Sequence, residues 1–541
     1  MTISSGETLD PMPHIHPTMA SAAQIIGTDI ETFALLIFTA LFIFTLWRLY
    51  YGNSFKPVNP LPPGPLGFPV VGYLPFLRPN LHHQFTDLAH KYGPIFKLQV
   101  GSLLYVVVSS PSLVKEIVRD QDALFANRDP SVAALIATYG GRDIAFAPLG
   151  DYWRQVRKLF VREMLSSSNI KACHEHRRAE VRKVIRSLKS KTGQGVDIGE
   201  LASLTEINVV MSMILGSTLG PDEEKREKVG EEFREVMGKY VATIGEPNIS
   251  DFFPWLARFD LQGIQAKMGN ILKVIGNILE PIIKEGERIA SEKSQTSVSK
   301  DGENKDFLQI ILELKDSEAG KALDLNAIKA ILQDIVIGGT DTTATMVEWV
   351  MAVLLDNPEA MKKVQNELEH VVGMNSTVEE FHLPQLTYLD AVVKETLRLY
   401  PALPLLVPRS PRETSQVGGY TIPKGSKVFL NTYAIHRDPI FWDNPLQFKP
   451  ERFLDPSSGL DYTGNDFRFI PFGSGRRICA GIPLAEKMLL YILGSLLHSF
   501  NWHLPQGEKL DLVDVFGLVT KKKTPLIAIP TMRLCNSQLY H

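Results

Sequence analysis

Twenty consecutive residues near the amino terminus constrain this chain more than any other stretch. From Thr32 to Tyr51 it reads TFALLIFTALFIFTLWRLYY, apolar until Arg48. About 20 apolar residues suffice to cross a bilayer as a helix. A secretory signal has a shorter apolar core and a small-residue cleavage site, and neither is present. The stretch predicts a single transmembrane anchor over 32–51, preceded by a tail over 1–31 or, with a start at Met19, a shorter one. Glu7, Asp10, Asp29 and Glu31 lie before it, whereas Arg48 and Lys56 lie at or beyond its far end. That asymmetry places everything after the anchor in the cytosol. Trp47, Tyr50 and Tyr51 fall where an interfacial aromatic belt would be.

A proline-rich run, KPVNPLPPGPLGFPVVG (Lys56–Gly72), follows. Fixed φ angles make such a run a semi-stiff tether, expected over 52–73. The remaining 74–541 shows neither a repeat nor a composition break, so one large domain is expected, mainly α with a small β part. Strands are expected at IFKLQV, LLYVVVS and KVFLNTY, forming a small sheet near the amino-terminal end. Ser291 to Asp306 reads as an exposed loop. A formal net charge of -3 gives no sign of a nucleic-acid partner. Two glycosylation triplets, Asn248-Ile249-Ser250 and Asn375-Ser376-Thr377, fall on the cytosolic side and are chance matches.

Only three cysteines occur, Cys173, Cys479 and Cys535, too scattered for a disulfide framework or a zinc spacing, which suits a reducing compartment. Cys479 stands in PFGSGRRICAG (Pro471–Gly481), a glycine-rich basic loop before an apolar helix. A nucleophilic role needs a base, and nothing places His436 or His498 beside it. Cys-x-x-Cys-His, Gly-Lys-Ser/Thr and Gly-x-Gly-x-x-Gly patterns are all missing from the loop. A lone axial ligand to heme iron fits. Glycines at 473, 475 and 481 let the backbone bend around the sulfur. Arg477 can meet a heme carboxylate, Phe472 can cover the sulfur, and a helix starting near Pro483 offers its positive end.

Phe472-x-x-Gly475-x-Arg477-x-Cys479-x-Gly481 resembles the heme-binding signature of cytochromes P450. The resemblance runs from the tether to about Pro530 and implies the P450 fold, with heme b (iron protoporphyrin IX) held by Cys479. Glu395 and Arg398 of KETLRLYP sit at i and i+3 on one helix face; with Arg452 of FKPERF they resemble the family's structural triad. A long, nearly all-apolar helix is expected from Asn326 to Asn357, with Gly338 and Gly339 mid-helix beside Asp341 and Thr342, a local conflict that marks a functional site. It resembles the oxygen-activating helix, which makes Asp341 and Thr342 the proton relay. By the same resemblance Trp153, Arg157, Arg409 and Arg477 meet the heme propionates.

Resemblance also implies NADPH–cytochrome P450 reductase as electron donor, O2 as co-substrate and residence in the endoplasmic reticulum membrane. A basic run from Arg154 to Lys191 is either a solvated face or a docking patch for that acidic partner. HRDP at His436 mimics a kinase loop, but its spacing to Asn444 is wrong and no phosphate loop accompanies it. Val132, Ile136, Ile337, Gly338, Leu403, Leu405, Leu406, Phe516 and Leu518 are expected to wall an apolar pocket. That wall suits a small hydrophobic substrate, a sesquiterpene or other terpenoid, with a flavonoid or phenylpropanoid as the alternative. A hydroperoxide isomerase or lyase, which typically lacks the acid–alcohol pair, and a heme sensor are the readings from other classes.

Overall fold

The computed structural model describes residues 32–46, 59–216, 218, 223–295, 306–315, 320 and 323–541. Two compact units separate at Pro60/Leu61. In the first, Thr32–Leu46 forms an apolar helix, and Phe33, Leu36, Phe38 and Phe42 are all well exposed along it. Trp47, Arg48, Tyr50 and Tyr51, and the tail over 1–31, lie outside the described residues.

In the second unit the helices of nine or more residues are α1 (Leu81–Tyr92), α2 (Asp151–Leu159), α3 (His174–Ser190), α4 (Ile198–Leu215), α5 (Glu223–Gly245), α6 (Ile264–Gln295), α7 (Phe307–Lys315), α8 (Leu325–Asp356), α9 (Pro358–Val371), α10 (Thr387–Leu399) and α11 (Ile482–Ser499). The strands are β1 (Ile95–Val100), β2 (Leu103–Val108), β3 (Val196–Asp197), β4 (Ser415–Val417), β5 (Tyr420–Ile422), β6 (Lys427–Leu430), β7 (Phe500–His503), β8 (Asp514–Val515), β9 (Lys521–Lys522) and β10 (Ile527–Met532).

Helix α8 is the spine. The Asp324 carboxylate caps it by accepting the Ala327 N–H at 2.8 Å, and Pro358 opens the next helix just beyond Asn357. Nearly every residue from Thr343 to Leu354 is buried, because α4, α10 and α11 all pack on it. Helix α4 is apolar enough to pass for a membrane span, yet it is a core helix with most of its length buried.

The expected amino-terminal sheet has the order β1–β2–β6, with β2 antiparallel to β1 and parallel to β6. The proline run is docked to it from Leu61 onward: Lys97 N–H donates to Pro63 O at 2.8 Å and Tyr73 N–H to Gln99 O at 2.6 Å. A free tether up to residue 73 is therefore too long. A second three-stranded sheet, β3–β10–β7, uses the carboxyl-terminal segment and was not anticipated. Its two-residue β3 and the proline within β10 hide the alternation that marks a strand. The expected loop from Ser291 is also revised. Helix α6 continues to Gln295, and Asp306 is buried, accepting from Thr218 N at 2.7 Å and Thr218 Oγ1 at 2.8 Å; 296–305 lie outside the described residues.

Candidate heme site

The loop ahead of α11 is held from several sides. Cys479 N–H donates to Phe472 O at 3.0 Å, closing the loop on itself. Gly475 has φ +68°, and a Cβ there would lie 2.4 Å from Val118 O, so the close approach requires glycine. Gly481 N–H, at the residue that caps the start of α11, donates to Cys479 Sγ at 3.3 Å. The Phe472 ring packs edge-on against Tyr462 at 5.3 Å, and its carbonyl is the acceptor that meets the cysteine N–H.

Cys479 is surrounded by protein, yet its surface is open to a water-sized probe. Both hold for a side chain that lines an internal chamber. Burial pushes its thiol up; the Gly481 N–H, Arg157 and the Ile482 N–H pull the other way without fully offsetting it. A stable thiolate in this setting calls for a cation at the sulfur.

Four arginines converge near the loop. Trp153 and Arg157 share a face of α2. The indole N–H of Trp153 donates to Ile144 O at 3.0 Å, and Arg157 Nη2 donates to Ile478 O at 2.5 Å. Arg477 lies over the Trp153 ring at 4.2 Å and donates to Ala126 O at 2.7 Å and Ala147 O at 2.6 Å. Arg409 donates to Ser474 O at 2.6 Å and pairs with Asp122 at 3.3 Å. Arg128, which the sequence reading missed, donates to Pro408 O at 2.7 Å and to Val407 O. Burial, then Arg409, push Arg477 down to about 9, and burial with Arg409 and Arg477 does the same in direction to Arg128. Asp122 and Asp143 are the carboxylates near these four. Such a surplus of enclosed positive charge fits a ligand bearing two carboxylates. Together with the sulfur it fits heme, whose propionates Trp153, Arg157, Arg409 and Arg477 could hold.

Beneath this, Glu395 and Arg398 are fully buried and joined by two hydrogen bonds of 2.7 and 2.8 Å. Arg452 reaches the same carboxylate at 3.4 Å, and Lys449 N–H donates to it at 2.9 Å. Arg398 also donates to His436 O at 2.6 Å. Burial holds His436 down to about 3, so its imidazole is neutral and accepts the Ile470 N–H at 3.1 Å. The HRDP segment thus serves packing.

On α8 the open positions are Asp334, Ile337, Gly338, Gly339, Asp341 and Thr342, within a helix otherwise buried from Ala327 to Leu354. Asp334, Gly338 and Thr342 are spaced i, i+4, i+8 and share a face. Thr342 Oγ1 donates to Gly338 O at 2.7 Å. A Cβ at Gly338 would meet nothing within 4 Å, whereas one at Gly339 would meet Val210 at 3.1 Å. Asp341 pairs with Lys521 at 2.5 Å through one oxygen, and its other oxygen is buried without a partner. A cavity of about 550 Å3 opens here, lined by Ile337, Thr340, Asp341, Leu518 and Lys521 with Met237 and Val241 of α5.

The expected pocket residues divide. Ile337 and Leu518 meet Asp341 in that cavity. Val132 and Ile136 lie on a short helix, Val132–Ala137, tied by Val132 N–H to Asp251 at 2.7 Å. Ile136 and Leu403 pack against the main core. Leu405 is a correction: it is buried among Phe85, Phe96 and Phe429, which makes it a core residue. Phe516 packs beside that cluster and Leu406 beside the neighbouring one. Asp334 was missed, although a lone carboxylate in ILQDIVIGG is a legible signal. It accepts the Ile144 N–H at 2.6 Å, and burial with the nearby Asp143 pushes it well above the usual carboxylate range. Burial likewise raises Asp143 to about 6.

The basic run is partly spent inside the molecule. Arg177 is buried in a two-pronged pair with Glu380 at 2.7 and 3.0 Å, and Arg178 and Arg182 pair with Glu379 at 3.0 and 3.1 Å. Lys158, Arg162, Lys171 and Arg186 are left on the surface.

A family model described as cytochrome P450 matches residues 62–529. The chain is 36% identical over 505 residues to geraniol 8-hydroxylase of Catharanthus roseus, covering 92% of this chain and 99% of that one. It is 36% identical over 517 residues to flavonoid 3'-monooxygenase of Petunia hybrida, covering 93% and 98%. Ferruginol synthase of Salvia fruticosa is 36% identical over 503 residues, covering 92% and 98%. A zebra fish cytochrome P450 solved with progesterone superposes with a TM-score of 0.69 at 28% identity, covering 84% of this chain and all, 100%, of that one. A cysteine turn, an arginine cluster and a core helix carrying two glycines in one fold, with these similarities, lead to one conclusion: the chain belongs to the cytochrome P450 family and is a heme monooxygenase that, like its plant homologues, draws electrons from NADPH through a separate reductase.

Proposed function

We propose that the protein hydroxylates a small, mostly apolar plant metabolite carrying a single oxygen function, a terpenoid alcohol being the best fit. Cys479 would supply the thiolate that holds heme iron, Trp153, Arg157, Arg409 and Arg477 would hold the propionates, and the buried Glu395, Arg398 and Arg452 would brace the loop. Heme supplies oxygen activation when bound. The chain's own part in that chemistry is proton delivery and positioning. Lys521, half exposed, holds Asp341. Asp341 is the chain neighbour of Thr342, whose hydroxyl donates to Gly338 O, and its second oxygen is buried without a partner, so the acid would hold a proton one residue from the alcohol at the open face of α8.

The observation that carries the substrate reading is Asp334. One of its oxygens is pinned by Ile144 N–H. It lies one helical turn, about 6 Å, before Gly338. Asp334 shares the open face of α8 with Gly338, so a substrate hydroxyl would meet its carboxyl while the carbon skeleton lies over Gly338. A flavonoid is the second reading, supported by the equal identity to the Petunia enzyme. Anchoring through Thr32–Leu46 in the endoplasmic reticulum membrane, with the catalytic unit cytosolic, completes the proposal; the exposed apolar surface of that helix supports it. Titration of the membrane-expressed protein, read by the heme spin-state band, tests the substrate. A saturable shift with geraniol-like or sesquiterpene alcohols alone supports the terpenoid reading. A shift with a flavonoid alone overturns it.

A further inference from the structure

Away from the heme site, two histidines and a carboxylate meet across 432 residues of sequence. His82 and His83 open α1, with ring centroids 4.1 Å apart. Asp514 is in β8. His82 Nε2 lies 2.9 Å from Asp514 Oδ2, and His83 Nε2 lies 3.2 Å from Asp514 Oδ1. All three donor groups fall within 4.8 Å of one another. His82 is 0% and Asp514 8% exposed.

We propose that His82, His83 and Asp514 form a zinc-type divalent cation site that clips α1 to the β8–β9 hairpin. Zinc bonds to imidazole nitrogen and carboxylate oxygen are about 2.0–2.2 Å long, which sets neighbouring donors of a tetrahedral site about 3.4 Å apart. The carboxylate already stands near that spacing from both imidazoles. A hydrogen bond accounts for His82 alone. The His83 Nε2 atom is enclosed and lies 3.2 Å from the same carboxylate, but it is not aligned for a good hydrogen bond to it. His82 Nδ1 is also without a partner, so moving its proton there to free Nε2 for a metal breaks no other contact. Two neutral imidazoles and one carboxylate, with one position left for water, make a borderline-soft set that suits zinc over magnesium or calcium. Arg437, stacked on Tyr433 beside the two rings, is the charge that opposes binding.

Occupancy would be felt at the heme side. Asp514 pairs in register with Lys522, and the next residue, Lys521, holds Asp341. Phe516 N–H donates to Asn80 Oδ1 at 3.1 Å, just before α1. A metal between α1 and β8 therefore fixes the hairpin that carries the partner of Asp341.

The test is zinc binding to untagged, heme-loaded full-length protein in detergent, by competition with a chromophoric chelator. One zinc per chain is expected, at least tenfold weaker in His83→Asn and in Asp514→Asn, and retained in His83→Cys, which keeps a ligand at that position. Zinc should raise the unfolding temperature of the wild type but not of His83→Asn. Unchanged affinity in His83→Asn, or no saturable binding below about 100 µM zinc, overturns the proposal. His83 is half exposed, so its variants fold; should Asp514→Asn lose heme, His83→Asn and His83→Cys decide the matter.

Discussion

Glu206 offers a prediction whose size can be worked from the structure. It lies on α4, seven residues after Gly199, which abuts Glu348, and four before Val210, which abuts Gly339. These spacings put Glu206 on the face that packs on α8. It is 1% exposed, and neither carboxylate oxygen has a hydrogen-bond partner. Burial alone pushes it well above its ordinary value of 4.5, so the folded protein holds it as the neutral acid. The unfolded chain releases that proton above pH 4.5, and the folded state then binds more protons than the unfolded one. Stability contributed by this residue therefore falls as pH rises, by about 1.4 kcal/mol per pH unit while the folded acid stays neutral. Glu206→Gln keeps the shape and the buried amide-like polarity but removes the ionisation. Relative to wild type it should gain stability as pH rises above 4.5, by up to about 1.4 kcal/mol per pH unit for as long as the folded acid stays neutral. Urea unfolding of wild type and variant, followed by tryptophan fluorescence at several pH values, reads the difference. A gap that does not widen with pH, or a variant less stable than wild type at pH 7.5, would mean that Glu206 is ionised and partnered, and the reasoning fails.

Three further predictions concern the site. Gly338→Ala should fold as well as wild type, gaining about 1 kcal/mol of helix propensity; its methyl enters open space and should raise KM for substrate, whereas Gly339→Ala presses on Val210 and should lower the unfolding temperature. Glu395→Gln leaves two buried guanidinium groups without their carboxylate, a loss of about 3–5 kcal/mol, seen as reduced heme content in expressed protein. Thr342→Val should retain heme and the substrate-induced spin shift while losing most product per NADPH consumed; unchanged coupling would remove Thr342 from the relay.

Much of the architecture was legible because it rests on local pattern. The expected helix from Asn326 to Asn357 is α8 within a residue at each end, since Asp324 and Pro358 punctuate it. The i, i+3 spacing of Glu395 and Arg398 likewise survives as a buried pair. Features that depend on distant partners were not legible. Leu405 reads as a pocket residue in PALPLLVPR, yet it fills a space among Phe85, Phe96 and Phe429. Arg177 and Arg178 read as surface charge until Glu379 and Glu380, some two hundred positions away, are brought to them. Arg128 and Lys521 have no local mark of function; their neighbours lie on separate elements, and each becomes visible only through the fold.

We propose Cys479 as the thiolate ligand of the heme. The most direct measurement is the reduced, carbon-monoxide difference spectrum of membranes expressing wild type and Cys479→Ser at matched protein level. Wild type should show the red-shifted Soret band of a thiolate-ligated heme, and Cys479→Ser should lose it completely. A variant that keeps the band would show that another residue is the ligand.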